Sequence, residues 1–96
     1  MSGRRIIWAP ATIADLEEAY EFIRADSLSR ADTWRDKVFQ SVEKLAVFPK
    51  MGRVTPEIGQ SRYRELIFGE YRLFHEVREK EIYVFRLLHS KRRFSI

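Results

Sequence analysis

The sequence predicts an α+β fold, in which an N-terminal strand is followed by an antiparallel helical hairpin packed on a mainly antiparallel sheet. Three observations predict it. A short β-branched and aromatic segment comes first, two segments of helical periodicity follow, and three β-type segments then come in quick succession. The predicted order is β-α-α-β-β-β, within one domain that spans residues 1–96.

The first strand is predicted from Arg4 to Trp8, and Pro10 ends it. Pro10 also begins helix one, because a residue without an N–H fits the first helical turn. The apolar residues that follow recur at helical spacing with acids between them. They are Ile13, Leu16, Ala19, Tyr20 and Ile23.

Helix two is predicted to begin after an N-cap at Ser27 or Ser29 and to end near Phe48-Pro49. The short gap between the helices implies an antiparallel hairpin. The apolar stripe of helix two consists of Ala31, Trp34, Val38, Val42 and Leu45.

The segment from Lys50 to Gln60 has no hydrophobic period and contains Gly52, Pro56 and Gly59, so it is predicted to be a loop. Short turns separate the three β-type segments after it, and such close spacing permits only an antiparallel meander. The strands are predicted at Tyr63 to Phe68, Tyr71 to Val77 and Ile82 to His89, with 90–96 as a short basic tail.

Composition excludes several classes of protein. Apolar residues make up 45% of the chain, enough to fill a core, and no apolar run approaches the ~20 residues needed to cross a bilayer. The absence of cysteine excludes disulfides, thiolate nucleophiles and sulfur-ligated zinc. The N-terminus lacks the apolar region of a signal peptide, so a cytoplasmic protein without membrane contact is expected.

The two signs of charge are separated along the chain, although the net charge is only +4. Helix one is acidic, with Asp15, Glu17, Glu18 and Glu21, whereas the last fifteen residues carry bases and no acid. This separation favours a basic C-terminal side that binds an acidic peptide or a nucleic-acid backbone.

The sequence contains no Gly-rich phosphate loop, no metal-ligand spacing and no Ser/His/Asp arrangement, so no cofactor and no metal are predicted. Arginines of the later strands and loops are the candidate anion-binding residues, since guanidinium groups bind phosphate or carboxylate bidentately. The alternative is that they only face solvent or pair with Glu65, Glu70 and Glu76. The candidates are Arg53, Arg62, Arg64 and Arg72.

The two histidines have different predicted roles. His75 shares a strand face with apolar residues and is predicted to be half-buried and structural. His89 ends the last strand beside a basic run, where it would be either a general base or a hydrogen-bonding cap of the strand. The large aromatic residues at strand or helix-stripe positions are predicted to be core. They are Trp8, Trp34, Phe39, Phe48 and Phe85.

Several motifs occur together in a fixed order and cover nearly the whole chain. They are W-A-P-x-x-x-x-D-L-E-x-x-Y-x-F-I at 8–23, L-A-x-F-P-x-M-G-R at 45–53, P-E-I-G at 56–59, Y-R-E-L at 63–66, Y-R-L-F-H-E-V at 71–77 and I-Y-V-F-R-L-L-H-S-K-R-R-F at 82–94. In this order and spacing the sequence resembles the RelE/ParE superfamily of toxins, and its H-x-K/R-R-x-F ending resembles the ParE branch.

This resemblance implies the β-α-α-β-β-β fold and a type II toxin–antitoxin system, in which a ParD-like antitoxin wraps the toxin and growth stops when the antitoxin is degraded. ParE-type members poison DNA gyrase, whereas RelE-type members cleave mRNA on the ribosome. A ParE-like toxin is the first hypothesis, with no catalytic residue and with operator DNA bound through the antitoxin. Its expected partner-binding residues are Arg86, His89, Lys91, Arg92, Arg93 and Phe94.

The alternative is a RelE-like endoribonuclease, which needs a base, an acid and cations for the phosphate. The resemblance would then assign catalysis to His89, Arg64, Arg86 and Arg92, with Arg53 as a further cation and Tyr83 as a stacking group. A third hypothesis is an inactive homologue that acts only as a co-repressor. The walls of an antitoxin groove are expected at Leu16, Ile23 and Val42, if those side chains are not wholly buried.

Overall fold

The structure is a computed structural model that describes residues 3–91. Within these residues it has two helices and five strands, and the α+β class is confirmed. The predicted order needs one correction, because a short additional strand, β2, precedes the meander. The elements are β1 (Arg5–Trp8), α1 (Pro10–Arg24), α2 (Leu28–Lys44), β2 (Arg53–Val54), β3 (Tyr63–Phe68), β4 (Tyr71–Val77) and β5 (Glu81–His89).

All five strands form one sheet in the order β1-β5-β4-β3-β2. Strands β3, β4 and β5 form the predicted antiparallel meander, and β2 adds to it by pairing antiparallel with β3. Only β1 runs parallel to its neighbour, β5. The first and last strands can pair in parallel because the chain between them returns to the starting end of the sheet. The register of the pairing between β4 and β5 shifts between Phe74 and His75, because Phe85 forms a bulge in β5.

Strand β2 lies inside the segment that the sequence predicted to be a loop. Gly52 has a positive φ of 86°, and a Cβ atom there would collide with the backbone of Glu65. Glycine therefore allows Arg53 and Val54 to approach β3 and pair with it. Two residues are too few to produce a hydrophobic period, so the sequence contains no signal for this strand.

The helical hairpin packs on one face of the sheet, and the core lies between these two layers. Ser27 is the N-cap of α2, because its Oγ accepts a hydrogen bond from the N–H of Arg30 at 3.2 Å. Leu16 and Val42 are buried in this core, so they are not groove walls, and Ile23 alone of the three expected walls is partly exposed. No helix of residues 3–91 is long and apolar enough to span a membrane.

The end of α2 also differs from the prediction. The helix ends at Lys44, and a turn follows from Leu45 to Val47. Phe48 therefore lies outside the core with 62% of its surface exposed, and Phe39 is partly exposed against Trp8. The sequence could not separate the last turn of a helix from irregular turns, because both place apolar residues at similar spacing.

His75 is completely buried rather than half-buried, because loop residues close over the strand end where it lies. Its Nε2–H donates to the carbonyl of Pro49 at 3.0 Å, and Nδ1 has no hydrogen-bond partner among the described residues. Burial lowers the pKa of His75, the Pro49 carbonyl opposes this, and Arg64 nearby lowers the pKa further. His75 is therefore held neutral in the folded chain.

We expect the folded state to lose stability on acidification below about pH 6.5, the ordinary pKa of histidine in the unfolded chain. In that window the unfolded state binds a proton that buried His75 does not, so stability falls by up to about 1.4 kcal/mol per pH unit. Urea unfolding between pH 7.5 and 5.5 measures this slope. His75→Gln should remove the slope and His89→Ala should keep it, and the opposite pattern would contradict the assignment.

Candidate functional site

An apolar depression lies between the turn of the helical hairpin and the turn that joins β3 to β4. This first cleft has a volume of about 830 Å³. Its floor is aromatic and its rim carries charges of both signs. It is lined by Phe22, Ile23, Ala25, Asp26, Ser29, Arg30, Thr33, Trp34, Lys37, Phe68, Gly69, Glu70, Tyr71 and His89.

The floor of the first cleft is held by contacts between α2 and the turn from β3 to β4. The indole N–H of Trp34 donates to the carbonyl of Phe68 at 3.2 Å. Tyr71 packs edge-on against both Trp34 and His89, with ring centroids 5.3 Å and 5.2 Å apart. The indole N–H of Trp34 thus has a hydrogen-bond partner. The aromatic rings of the floor are held in place and present an apolar surface to a ligand in the cleft.

Phe22 stands at the mouth of this cleft with 71% of its surface exposed. An exposed phenylalanine beside an aromatic floor is characteristic of a protein-binding surface. Phe22 was not among the predicted site residues, although the sequence contains a signal for it: this phenylalanine lies on α1 outside the apolar stripe that faces the core.

A second cleft of about 270 Å³ continues from the first along the outer edge of β5. Both clefts share Phe22, Tyr71 and His89, so they form one bent groove around α1. The second cleft also has Asp15, Glu18, Ala19, Leu87 and Leu88 in its walls.

His89 forms a wall of both clefts, and both of its ring nitrogens are engaged. Nε2 lies 3.0 Å from the carboxylate of Glu70, and Nδ1 accepts the backbone N–H of Lys91 at 3.1 Å. Nδ1 therefore uses its lone pair on the backbone, and Nε2 carries the proton that Glu70 accepts. With both nitrogens engaged, His89 fastens the end of β5 to the turn between β3 and β4.

Among the residues considered for RNA cleavage, Arg64 lies apart from His89. His89 is opposite Tyr71 in the sheet and Arg64 is opposite His75, a separation of roughly 13 Å along β4. The guanidinium of Arg64 points to backbone carbonyls of Ser61 and Gly52, away from the groove. Arg92 lies outside the described residues.

Two of the candidate anion-binding arginines are already neutralised by glutamates on the sheet face opposite the helices. Arg53 and Arg72 both pair with Glu65, at 2.7 Å and 2.6 Å, and the side chain of Glu65 is completely buried. Arg72 also forms a two-pronged pair with Glu57 at 2.7 Å and 2.9 Å, which ties the loop after β2 to β4. The charges of these four side chains therefore compensate one another. We call them the Glu65 cluster: Arg53, Glu57, Glu65 and Arg72.

The electrostatics of the Glu65 cluster agree with its geometry. The hydrogen bonds from Arg72 lower the pKa of Glu57 to about 2, against an opposing contribution from burial. Those bonds and the bonds to Glu65 raise the pKa of Arg72 above its ordinary value. Both groups therefore stay charged across the physiological pH range, and the pairing persists.

Aromatic rings share this sheet face with further arginines. Tyr83, Phe85 and Tyr63 are in contact in a row, with centroids 6.3 Å and 6.1 Å apart. Arg62 lies over the ring of Tyr63 and within 4.0 Å of Glu76. Tyr83 is likewise covered by a guanidinium, that of Arg78, at 4.3 Å.

Three of the expected partner-binding residues lie along the groove or at its end. Arg86 is close to Asp15, with Nε 3.7 Å from Oδ2, and Lys91 follows β5 with an exposed side chain. His89 is part of the wall itself. Arg93 and Phe94, like Arg92, lie outside the described residues. No group of three His, Asp or Glu residues in the described part of the chain is arranged to hold a metal ion.

The fold and the groove define the class first: a small α+β protein in which a helical hairpin packs on a five-stranded sheet beside an apolar groove. The family described as "ParE toxin of type II toxin-antitoxin system, parDE" matches residues 6–94. The chain therefore belongs to the ParE toxin family.

A solved structure supports the fold independently. It is described as the chromosomal ParDE TA system from P. aeruginosa, and the similarity has a TM-score of 0.72 at 19% sequence identity. The superposition covers 92% of this chain and 97% of that chain. The chain matches none of the curated proteins with which it was compared.

Proposed function

We propose that this ParE-family toxin, with residues 1–96 as one toxin domain, poisons DNA gyrase in the cytoplasm and is neutralised by a ParD-like antitoxin that docks in the first cleft. The observation that carries the antitoxin site is the exposed Phe22 beside a fixed aromatic floor. The neighbour from P. aeruginosa is described as a ParDE system, which supports a partner of this type.

The shape and chemistry of the first cleft fit an amphipathic helix of the antitoxin. Trp34, Tyr71 and Phe68 provide apolar surface for its anchor residues. Arg30 and Lys37 lie on the rim on the side of α2, where they would face acidic side chains of the helix. Binding of operator DNA would then be a property of the complex, supplied through the antitoxin.

Gyrase is the proposed target rather than mRNA because the residues considered for RNA cleavage are not all brought together around His89 within residues 3–91. His89 is engaged by Glu70 and Lys91, and Arg64 lies on a different part of the sheet. Arg86, His89 and Lys91 remain the proposed contacts to the target, together with Arg92, Arg93 and Phe94.

Expression of the toxin from a tightly controlled promoter, with separate pulse labelling of DNA and protein synthesis, tests the target. We expect DNA synthesis to stop first, with double-strand breaks and filamentous cells. A collapse of translation within minutes, while DNA synthesis continues, would instead support the ribosome-dependent endoribonuclease.

We expect His89→Ala to reduce the toxicity of the chain only moderately, by less than about tenfold, since removing one contact costs about 1 kcal/mol. Removal of a catalytic general base costs roughly 100-fold or more. The measurement is the inducer concentration that halves the growth rate, at equal protein levels. Complete loss of toxicity with intact folding would favour the endoribonuclease.

A further inference from the structure

We propose that the outer edge of β5 beyond Val84 receives an extended, basic segment of the antitoxin as an added strand, and that Asp15 holds this place in the free toxin. The inference rests on the proposed antitoxin. It adds to that proposal a second docking surface with its own backbone pairing, separate from the first cleft.

Within the described residues, another strand pairs with only the first half of the outer edge of β5. Strand β1 pairs with β5 from Glu81 to Val84, where the chain turns away into α1. At the end of this pairing, the N–H of Ala9 and the hydroxyl of Thr12 both donate to the carbonyl of Val84. Strand β5 continues for five more residues, to His89.

The backbone of these five residues has groups that point away from β4. The N–H of Ser90 donates to the carbonyl of Glu70, so the pair of Tyr71 and His89 is a non-hydrogen-bonded pair. The backbone N–H and C=O of His89 therefore face outward, and the two-residue period places those of Leu87 on the same side. An outward-facing row of this kind is a site for strand addition.

Asp15 occupies one of these outward positions. Its Oδ2 accepts the N–H of Leu87 at 3.1 Å, although the two residues are 72 positions apart. Arg86 lies 3.7 Å from the same carboxylate, so Asp15 keeps a cation beside it when a strand takes over the N–H of Leu87. The carboxylate of Asp15 thus accepts the outward N–H of Leu87 in the free toxin, and an added strand can take its place.

The charge of the second cleft identifies the kind of segment. Glu18 lines this cleft, is exposed, and has no ion-pair partner among residues 3–91. A lysine or arginine on the incoming strand would pair with it. The second cleft opens into the first at Phe22, so one antitoxin chain can place a helix in the first cleft and continue as a strand in the second.

Amide hydrogen exchange of the free toxin and of the complex with the antitoxin co-expressed from its operon tests the strand directly. We expect the amide of His89 to exchange at least tenfold more slowly in the complex than in the free toxin. Asp15→Ala should speed exchange at Leu87 in the free toxin only, because the added strand replaces the carboxylate. Unchanged exchange at His89 in a complex that forms would overturn the strand and leave the first cleft as the antitoxin site.

Other occupants give different results in the free toxin. Protection of His89 before antitoxin is added, and independent of concentration, would mean that residues 92–96 cover the edge. Concentration-dependent protection would mean that a second copy of the chain does so. Either result overturns the proposal, and failure to form any complex overturns both it and the proposed antitoxin site.

A matched pair of charge reversals tests the basic segment. Glu18→Lys should weaken the complex at least tenfold, with a weaker effect at high salt, because it places like charges together. Glu17→Lys makes the same change one position away on α1, outside both clefts, and should alter affinity less than threefold. Equal effects of the two reversals would contradict a basic strand in the second cleft.

Discussion

Glu65→Gln is expected to lower the free energy of unfolding by about 3 kcal/mol, a large part of the 5–15 kcal/mol typical of a domain. The carboxylate of Glu65 is completely buried and lies 2.6 Å from Arg72 and 2.7 Å from Arg53. Its neutral replacement keeps the shape but leaves Arg72, which is itself almost buried, with only Glu57 as an anionic partner. Urea unfolding at pH 7.5 measures the change.

Glu57→Gln is the matched control for this substitution. Glu57 pairs with the same arginine, but its side chain is 37% exposed, so water can replace much of the lost interaction. We expect a cost of about 1 kcal/mol or less. Combining Glu65→Gln with Arg72→Met should cost less than the sum of the single changes, since the cation left without its partner is then also removed. Equal costs for Glu65→Gln and Glu57→Gln would show that burial does not control the strength of the cluster.

Phe22→Ala is expected to weaken antitoxin binding by at least about 30-fold, which corresponds to about 2 kcal/mol for the loss of an aromatic anchor. Phe22 is 71% exposed, so the free toxin loses little packing, and its unfolding free energy should change by less than about 0.5 kcal/mol. Titration calorimetry with the purified antitoxin measures affinity. In cells, the same variant should remain toxic when antitoxin is present at a level that neutralises the natural chain.

Ile67→Ala provides the control for Phe22→Ala. Ile67 is also a large apolar residue with 53% exposure, but it lies opposite Arg72 on the sheet face away from the helices. We expect its substitution to change affinity by less than twofold. A loss of affinity at Ile67 similar to that at Phe22 would move the antitoxin site away from the first cleft.

The sequence by itself determined the order of the main elements and the family. Periodicity placed α1 and the start of α2, and turn residues separated the three strands of the meander, because both signals are local. The resemblance in motif order indicated the ParE toxins, and the family match over residues 6–94 confirms it. The two-residue strand β2 was missed because its pairing depends on the close approach of Gly52 to β3.

Only the tertiary structure decided what the charged and aromatic residues do. Arg53 and Arg72 were candidates for an external anion, with pairing to Glu65 as the alternative, and the structure shows that pairing. The contribution of Glu57 was missed because this residue lies in the loop after β2, fifteen positions from Arg72. The two clefts around Phe22 arise between α1, α2 and β5, which are far apart in the chain. Local patterns specify which segments fold, whereas a site depends on non-local contacts, and those exist only once the helices have packed on the sheet.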